Sequence, residues 1–216
     1  MLSTPDYSHF TIKDYENIYE PSEDTFLFID ALEKDIIYLN DINPLFVFEI
    51  GSGSGLVLNF LANHLRKNDQ ILFYATDINY KSCVATEMTS IKNKNCINVV
   101  NCDLIIPMIE RLEKKVDILL FNPPYVVTES QELGSKTLQA AWAGGNNGRE
   151  VMDRLFPYIN HLLSEDGVFY LVCIKQNRIE EIQKLFFEMK FKMEIVLNRK
   201  AGIETLFILR FNRIKI

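Results

Sequence analysis

Short runs of β-type residues, each followed by a stretch with helical spacing, recur along most of this chain and restrict its fold more than any other feature. Strands are expected near Leu45 to Glu49, Ile71 to Asp77, Ile97 to Cys102, Val116 to Phe121 and Gly167 to Ile174. Helices are expected near Leu56 to Lys67, Tyr80 to Lys92, Glu150 to Leu163 and Arg178 to Met189. Strand followed by helix followed by strand is the signature of βαβ units, and so of an α/β domain with a parallel sheet. Two last runs, Lys192 to Leu197 and Thr205 to Phe211, lie close enough to pair antiparallel through a turn at Ala201 and Gly202. Before the first strand, Ser22 is placed to cap a helix whose Phe26, Leu27, Ile29, Ala31 and Leu32 face a core, with Asp30 on the wet side. A chain of 216 residues suits one such domain, spanning residues 1–216, with residues 1–20 as a loosely ordered lead-in.

Composition narrows the classes of function. Apolar runs such as Ile118 to Phe121 and Val168 to Val172 fall far short of the ~20 residues a bilayer span needs. No charged-then-apolar leader opens the chain, so no membrane association and a cytoplasmic location, with a nuclear pool, are expected. Cys83, Cys96, Cys102 and Cys173 show no CxxC spacing, and His9, His64 and His161 stand apart, so neither a metal site nor a disulfide framework is expected. A net charge of -6 makes the whole-molecule field repel phosphate backbones, which disfavours direct nucleic-acid binding. No repeat appears, and the one long irregular segment, Val126 to Arg149, is of a length that usually has a function.

The first strand runs through Glu49 into Gly51-Ser52-Gly53-Ser54-Gly55 and then directly into a helix. Such a loop lets a ligand approach the backbone, and the helix start offers unpaired N–H groups. A dinucleotide fingerprint would place its third glycine at position 56, where this chain has Leu56, so a pyrophosphate ligand is disfavoured. The second strand ends at Asp77, where a carboxylate can accept hydrogen bonds from both ribose hydroxyls. Glu49, Asp77, Asp103 and Asn122 thus stand at the carboxyl ends of the first four strands, the edge along which open α/β sheets bind ligands.

Asn122-Pro123-Pro124-Tyr125 is the most specific motif. Two prolines remove two backbone donors and fix φ, holding the carbonyls and the Asn122 amide in a rigid array. An amide or aromatic amine nitrogen is a poor nucleophile because its lone pair is delocalised. Acceptors that grip its N–H bonds can aim it at a sulfonium methyl carbon and stabilise the charge that grows during transfer. Those acceptors are expected to be the Asn122 side-chain oxygen and the Pro123 carbonyl, with Pro124 beside them and Tyr125 packing on the flat substrate group.

Glu49 to Gly55 with Asn122 to Tyr125 resembles the motifs of class I methyltransferases acting on amide or amino nitrogen. Tyr19 to Thr25, Ala75 to Asn79, Trp142 to Gly145 and Gly148-Arg149 narrow the resemblance to the HemK-type release-factor glutamine methyltransferases of the eukaryotic and archaeal branch, over nearly the whole chain. The resemblance implies a Rossmann-like, seven-stranded sheet, mostly parallel with an antiparallel C-terminal hairpin and helices on both faces. It implies S-adenosylmethionine as methyl donor and, as substrate, the glutamine of the Gly-Gly-Gln loop of a class I translation release factor. Thr25 and Glu49 would lie near the methionine end of the cofactor, Gly51 and Gly53 would line it, Asp77 would take the ribose hydroxyls, and Ile78 would be a further cofactor-binding residue. Asp103 and Leu104 would border the adenine, and Asn122 would hold the substrate amide beside the cofactor. A small zinc-binding activator protein would be the heterodimer partner, and the Asn98 to Val100 strand, expected at a sheet edge, would receive it by β-addition.

Trp142 to Arg149 is read as a substrate clamp, with an ordered connection as the alternative. An adenine N6 methyltransferase poses the same chemical problem, but the acidic balance and the lack of a target-recognition domain oppose it. A non-catalytic cofactor-binding scaffold is opposed by the intact Asn122 to Tyr125 motif.

Overall fold

The structure is a computed structural model and describes residues 2–66, 68–128 and 142–215. Seven strands, β1 (Phe46–Ile50), β2 (Leu72–Asp77), β3 (Ile97–Asn101), β4 (Val116–Phe121), β5 (Leu163–Ile174), β6 (Phe191–Ala201) and β7 (Glu204–Arg213), form one sheet in the order β3-β2-β1-β4-β5-β7-β6. β1 to β5 are mutually parallel, and β7 runs antiparallel to both β5 and β6. The expected sheet therefore forms, with its C-terminal hairpin closing at Gly202 and Ile203.

Alternate residues of the central strands serve two cores. Ile118 and Leu120 of β4 and Val168, Tyr170 and Val172 of β5 face helices α1 (Glu23–Lys34), α2 (Ile36–Asp41) and α3 (Leu56–His64). Leu119, Phe121, Phe169, Leu171 and Cys173 face the opposite side, under α5 (Glu150–Leu162) and α6 (Ile179–Glu188). Burial on both faces explains why β4 and β5 read as continuous apolar runs rather than alternating ones. The remaining helix, α4 (Tyr80–Lys92), packs on β2 and β3.

Three features were not legible in advance. The short α2 buries only Leu39, too little to leave a periodic stripe. The crossover from β3 to β4 is a 3-10 helix over Ile106–Leu112 with a proline in its first turn, a geometry that lacks the 3.6-residue period. The lead-in is tied down by a few polar contacts: Leu2 N–H donates to Glu33, Asp6 N–H donates to the Asn93 side chain, which donates back to the Asp6 carbonyl, and the His64 ring meets the Ser3 carbonyl.

One buried ion pair crosses the first core. Asp35 accepts from the Tyr170 hydroxyl at 2.8 Å and from the Arg210 guanidinium at 2.7 Å, and both charged side chains are largely withdrawn from water. Asp35→Ala leaves a buried phenol unpaired and Arg210 half-compensated. It should destabilise the protein by about 2–3 kcal/mol, read as a fall in Tm of roughly 4–12 °C by calorimetry.

Candidate active site

Because β2 lies on one side of β1 and β4 on the other, the connections leaving β1 and β4 diverge and open a crevice at their carboxyl ends. A cavity of about 730 Å³ occupies it, within the usual range for small-molecule sites. Glu49, Asp77, Asp103 and Asn122 all line this cavity, as do Thr25, Gly51, Gly53, Ile78, Leu104, Pro123 and Pro124.

The loop after β1 is built by backbone contacts. Gly51 and Ser52 donate to the Thr76 carbonyl at 2.8 and 3.1 Å, drawing the β1 and β2 tips together. Gly55 starts α3 at φ 75°, and a Cβ there would stand 2.8 Å from the Thr86 Cα of α4, so the close approach of the two helices requires glycine. Without a side chain at that cap, α3 takes its acceptor from the sheet. The Glu49 carboxylate receives the Leu58 N–H at 3.1 Å. Burial holds the Glu49 carboxyl well above the usual range, opposed by that one hydrogen bond.

Asp77 accepts from Gly53 N–H at 2.9 Å and from Asn79 N–H at 2.8 Å, one through each oxygen. Each oxygen retains a second lone pair, so the carboxylate can still receive ligand hydroxyls. Burial raises its pKa and the two amides pull it back. Ile78 is 59% exposed at the rim. Asp103 forms an ion pair with Arg154 of α5, a cavity residue that sequence reasoning missed. Leu104 turns into the second core at 7% exposure.

Asn122 carries the informative geometry. Its Nδ2 donates to Asp24 Oδ2 at 3.1 Å, and its Oδ1 is buried with no partner among the described residues. Asp24, 4% exposed in the first turn of α1, also accepts from the Tyr125 hydroxyl at 3.1 Å and from the Tyr19 hydroxyl at 3.2 Å. Burial, then the Asp24 charge, push the Tyr19 pKa up to about 12 and raise that of Tyr125 further, so both phenols remain donors. Tyr125 was expected to pack on the substrate, but it is absent from the cavity wall. Its hydroxyl is committed to Asp24 and its ring to the two cores.

The segment after the motif is an ordered strap. Val126 bridges Ala143, Val126 N–H donates to the Trp142 carbonyl at 3.1 Å, and Gly144 N–H returns to the Val126 carbonyl at 2.8 Å. The fully buried Asn177 donates through Nδ2 to the carbonyls of Tyr125, Asn147 and Gly148, at 2.8, 2.9 and 3.3 Å. Of the two readings of Trp142 to Arg149, these bonds favour the ordered connection over the clamp, with Ala143 in the cavity wall. Arg149 is engaged by Asp153 and Glu181 and does not line the cavity. The rest of the long irregular segment, 129–141, lies outside the described residues.

Among the described residues, no group of His, Cys, Asp or Glu is arranged to hold a metal ion, and no helix is long and apolar enough to cross a membrane.

Comparison with known proteins adds to this geometry. No protein-family model matches the chain. It is 46% identical over 212 residues to methyltransferase HEMK2 of Homo sapiens, covering 98% of this chain and 97% of that one. The chain belongs to the HemK-type glutamine methyltransferases. Another relative of this methyltransferase, the eRF1 methyltransferase catalytic subunit mtq2 of Schizosaccharomyces pombe, is 40% identical over 99% of this chain and 97% of its own. Among solved structures, the E. cuniculi Mtq2–Trm112 complex, described as responsible for methylation of the eRF1 translation termination factor, superposes with a TM-score of 0.68. It shares 26% identity, covering 91% of this methyltransferase and 98% of the matched chain. The sheet is that of the class I methyltransferases.

Proposed function

We propose that this enzyme transfers a methyl group from S-adenosylmethionine to the side-chain amide nitrogen of the glutamine in the Gly-Gly-Gln loop of a class I translation release factor. The observation that carries this reading is the unpartnered, buried Asn122 Oδ1 in the cavity wall. A buried acceptor left without a partner is costly, and the N–H of a primary amide would satisfy it. The relatives described as acting on eRF1 support the protein substrate.

The residues fit the cofactor. Asp77 has free lone pairs for the ribose hydroxyls, Ile78 and Leu104 offer apolar surface to the adenine, and Gly51, Gly53, Thr25 and Glu49 continue the wall towards Asn122. When bound, S-adenosylmethionine supplies an electrophilic methyl on a sulfonium centre. The protein's part is positional and electrostatic. Asn122 Oδ1 and the Pro123 carbonyl accept the two N–H bonds of the glutamine amide, turning its nitrogen lone pair out of conjugation towards the donor. The same acceptors strengthen as positive charge grows on the nitrogen. As the new N–CH3 bond forms, the S–CH3 bond to the sulfonium breaks, leaving S-adenosylhomocysteine, and the nitrogen gives up one of its two protons to water. The methylated amide keeps one N–H and cannot satisfy both acceptors, so transfer stops at one methyl.

A small zinc-binding activator protein is the partner in this proposal. β3 pairs with β2 alone among the described strands, so its outer edge is open to β-addition around Asn98 to Val100. The E. cuniculi relative was solved as a complex with Trm112. A cytoplasmic location, with a nuclear pool, is part of the same reading and is supported by four free cysteines.

The test is incubation of the enzyme, with its partner, with release factor and S-adenosylmethionine, followed by peptide mass spectrometry. One methyl group on the Gly-Gly-Gln glutamine is expected. Methyl appearing only on adenine of added duplex DNA, or on no substrate while the cofactor binds, would overturn the assignment.

A further inference from the structure

We propose that Asp24 is a positioning residue that selects which end of the Asn122 amide faces the substrate. The inference rests on the functional reading above, and it deepens it by naming what makes the substrate acceptor an acceptor.

An asparagine side chain is nearly symmetric in shape, and its two orientations are chemically opposite. One presents oxygen, which attracts the N–H bonds of a glutamine amide, and the other presents NH2, which repels them. Nothing in the Asn122-Pro123-Pro124-Tyr125 motif itself chooses between them. Asp24 does. Its Oδ2 lies 3.1 Å from Asn122 Nδ2, so a flip would set two acceptors face to face in a buried setting. The remaining capacity of Asp24 is filled. Oδ2 also takes the Tyr125 hydroxyl, and Oδ1 takes the Tyr19 hydroxyl at 3.2 Å, the Thr25 N–H at 2.7 Å and the Thr25 hydroxyl at 3.3 Å. A carboxylate that is surrounded by donors can neither rotate nor bind substrate in place of Asn122. Asp24 thus acts through Asn122, and Tyr19, Thr25 and Tyr125 hold it still.

Asp24→Asn tests this because it keeps the shape and removes the charge and the obligatory acceptor. With the cofactor saturating, kcat for release-factor methylation should fall about 10- to 100-fold, while the Kd for S-adenosylmethionine stays within about twofold. Tm falls because the new NH2 faces donors that the carboxylate accepted, but the variant stays folded at the assay temperature. Wild-type kcat in this variant would overturn the proposal, as would a loss that appears entirely in cofactor affinity or Tm. A second readout needs no substrate. In 1H–15N spectra the Asn122 side-chain NH2 should be protected from exchange in the wild-type enzyme and lose that protection in Asp24→Asn. An unchanged signal would refute the role of Asp24. If release factor is not a substrate of the wild-type enzyme, the functional reading fails, and the spectroscopic arm still decides the positioning claim.

Discussion

Gly148→Ala is expected to unseat the strap from the catalytic motif and to lower both stability and turnover. A Cβ on residue 148 would stand 2.0 Å from the Tyr125 carbonyl oxygen and 2.5 Å from Asn177 Nδ2, and the backbone there has φ +64°. The obstruction is backbone rather than the end of a flexible side chain, so the strap or the Tyr125 peptide must move. Left-handed backbone on alanine costs about 1–2 kcal/mol, overpacking a further 1–3 kcal/mol, and the shift strains the bonds that Asn177 makes to both segments. A total near 3–4 kcal/mol corresponds to a fall in Tm of roughly 6–16 °C. Because the displaced carbonyl belongs to the residue three after Asn122, kcat should fall as well. Calorimetry and initial rates check both, and a variant with wild-type Tm would show that the strap is not held as described.

The second large effect is on chemistry alone. Asn122→Ala removes the acceptor that faces the cavity while leaving Asp24 its two tyrosine donors. Loss of one preorganised group of this kind costs ~10²–10³ in kcat, and a comparable fall is expected here. Affinity for S-adenosylmethionine should change little, because Asp77, Gly51 and Gly53 are untouched. Single-turnover rates and titration calorimetry separate the two quantities. Undiminished transfer would remove Asn122 from the mechanism.

Much of the site was legible because its residues carry local signatures. Glu49, Asp77, Asp103 and Asn122 stand at or just beyond the carboxyl ends of β1 to β4, and parallel pairing brings those ends to one edge. What was missed has no local signature. Asp24 reads as an ordinary acidic residue in the first turn of a helix, where the helix dipole alone would account for it. Its partner Asn122 is 98 residues away. Asn177 follows β5 in a stretch of polar residues without periodicity, and its three carbonyl partners arrive from 29 to 52 residues earlier in the chain. Arg154 lies on the hydrophilic side of α5 and became a cavity residue only when β3 and α5 were brought together.

Residue order by itself determined the alternation of strands and helices, the glycine loop after β1 and the rigid proline-flanked amide after β4. These depend on side-chain period and on backbone stereochemistry, which neighbours in sequence set. Tertiary structure alone decided which oxygen Asn122 presents, that Tyr125 braces rather than stacks, and that Trp142 to Arg149 is a strap. Each of these depends on hydrogen-bond partners from other elements, and a side chain's partners exist only once the fold has placed them within about 3 Å.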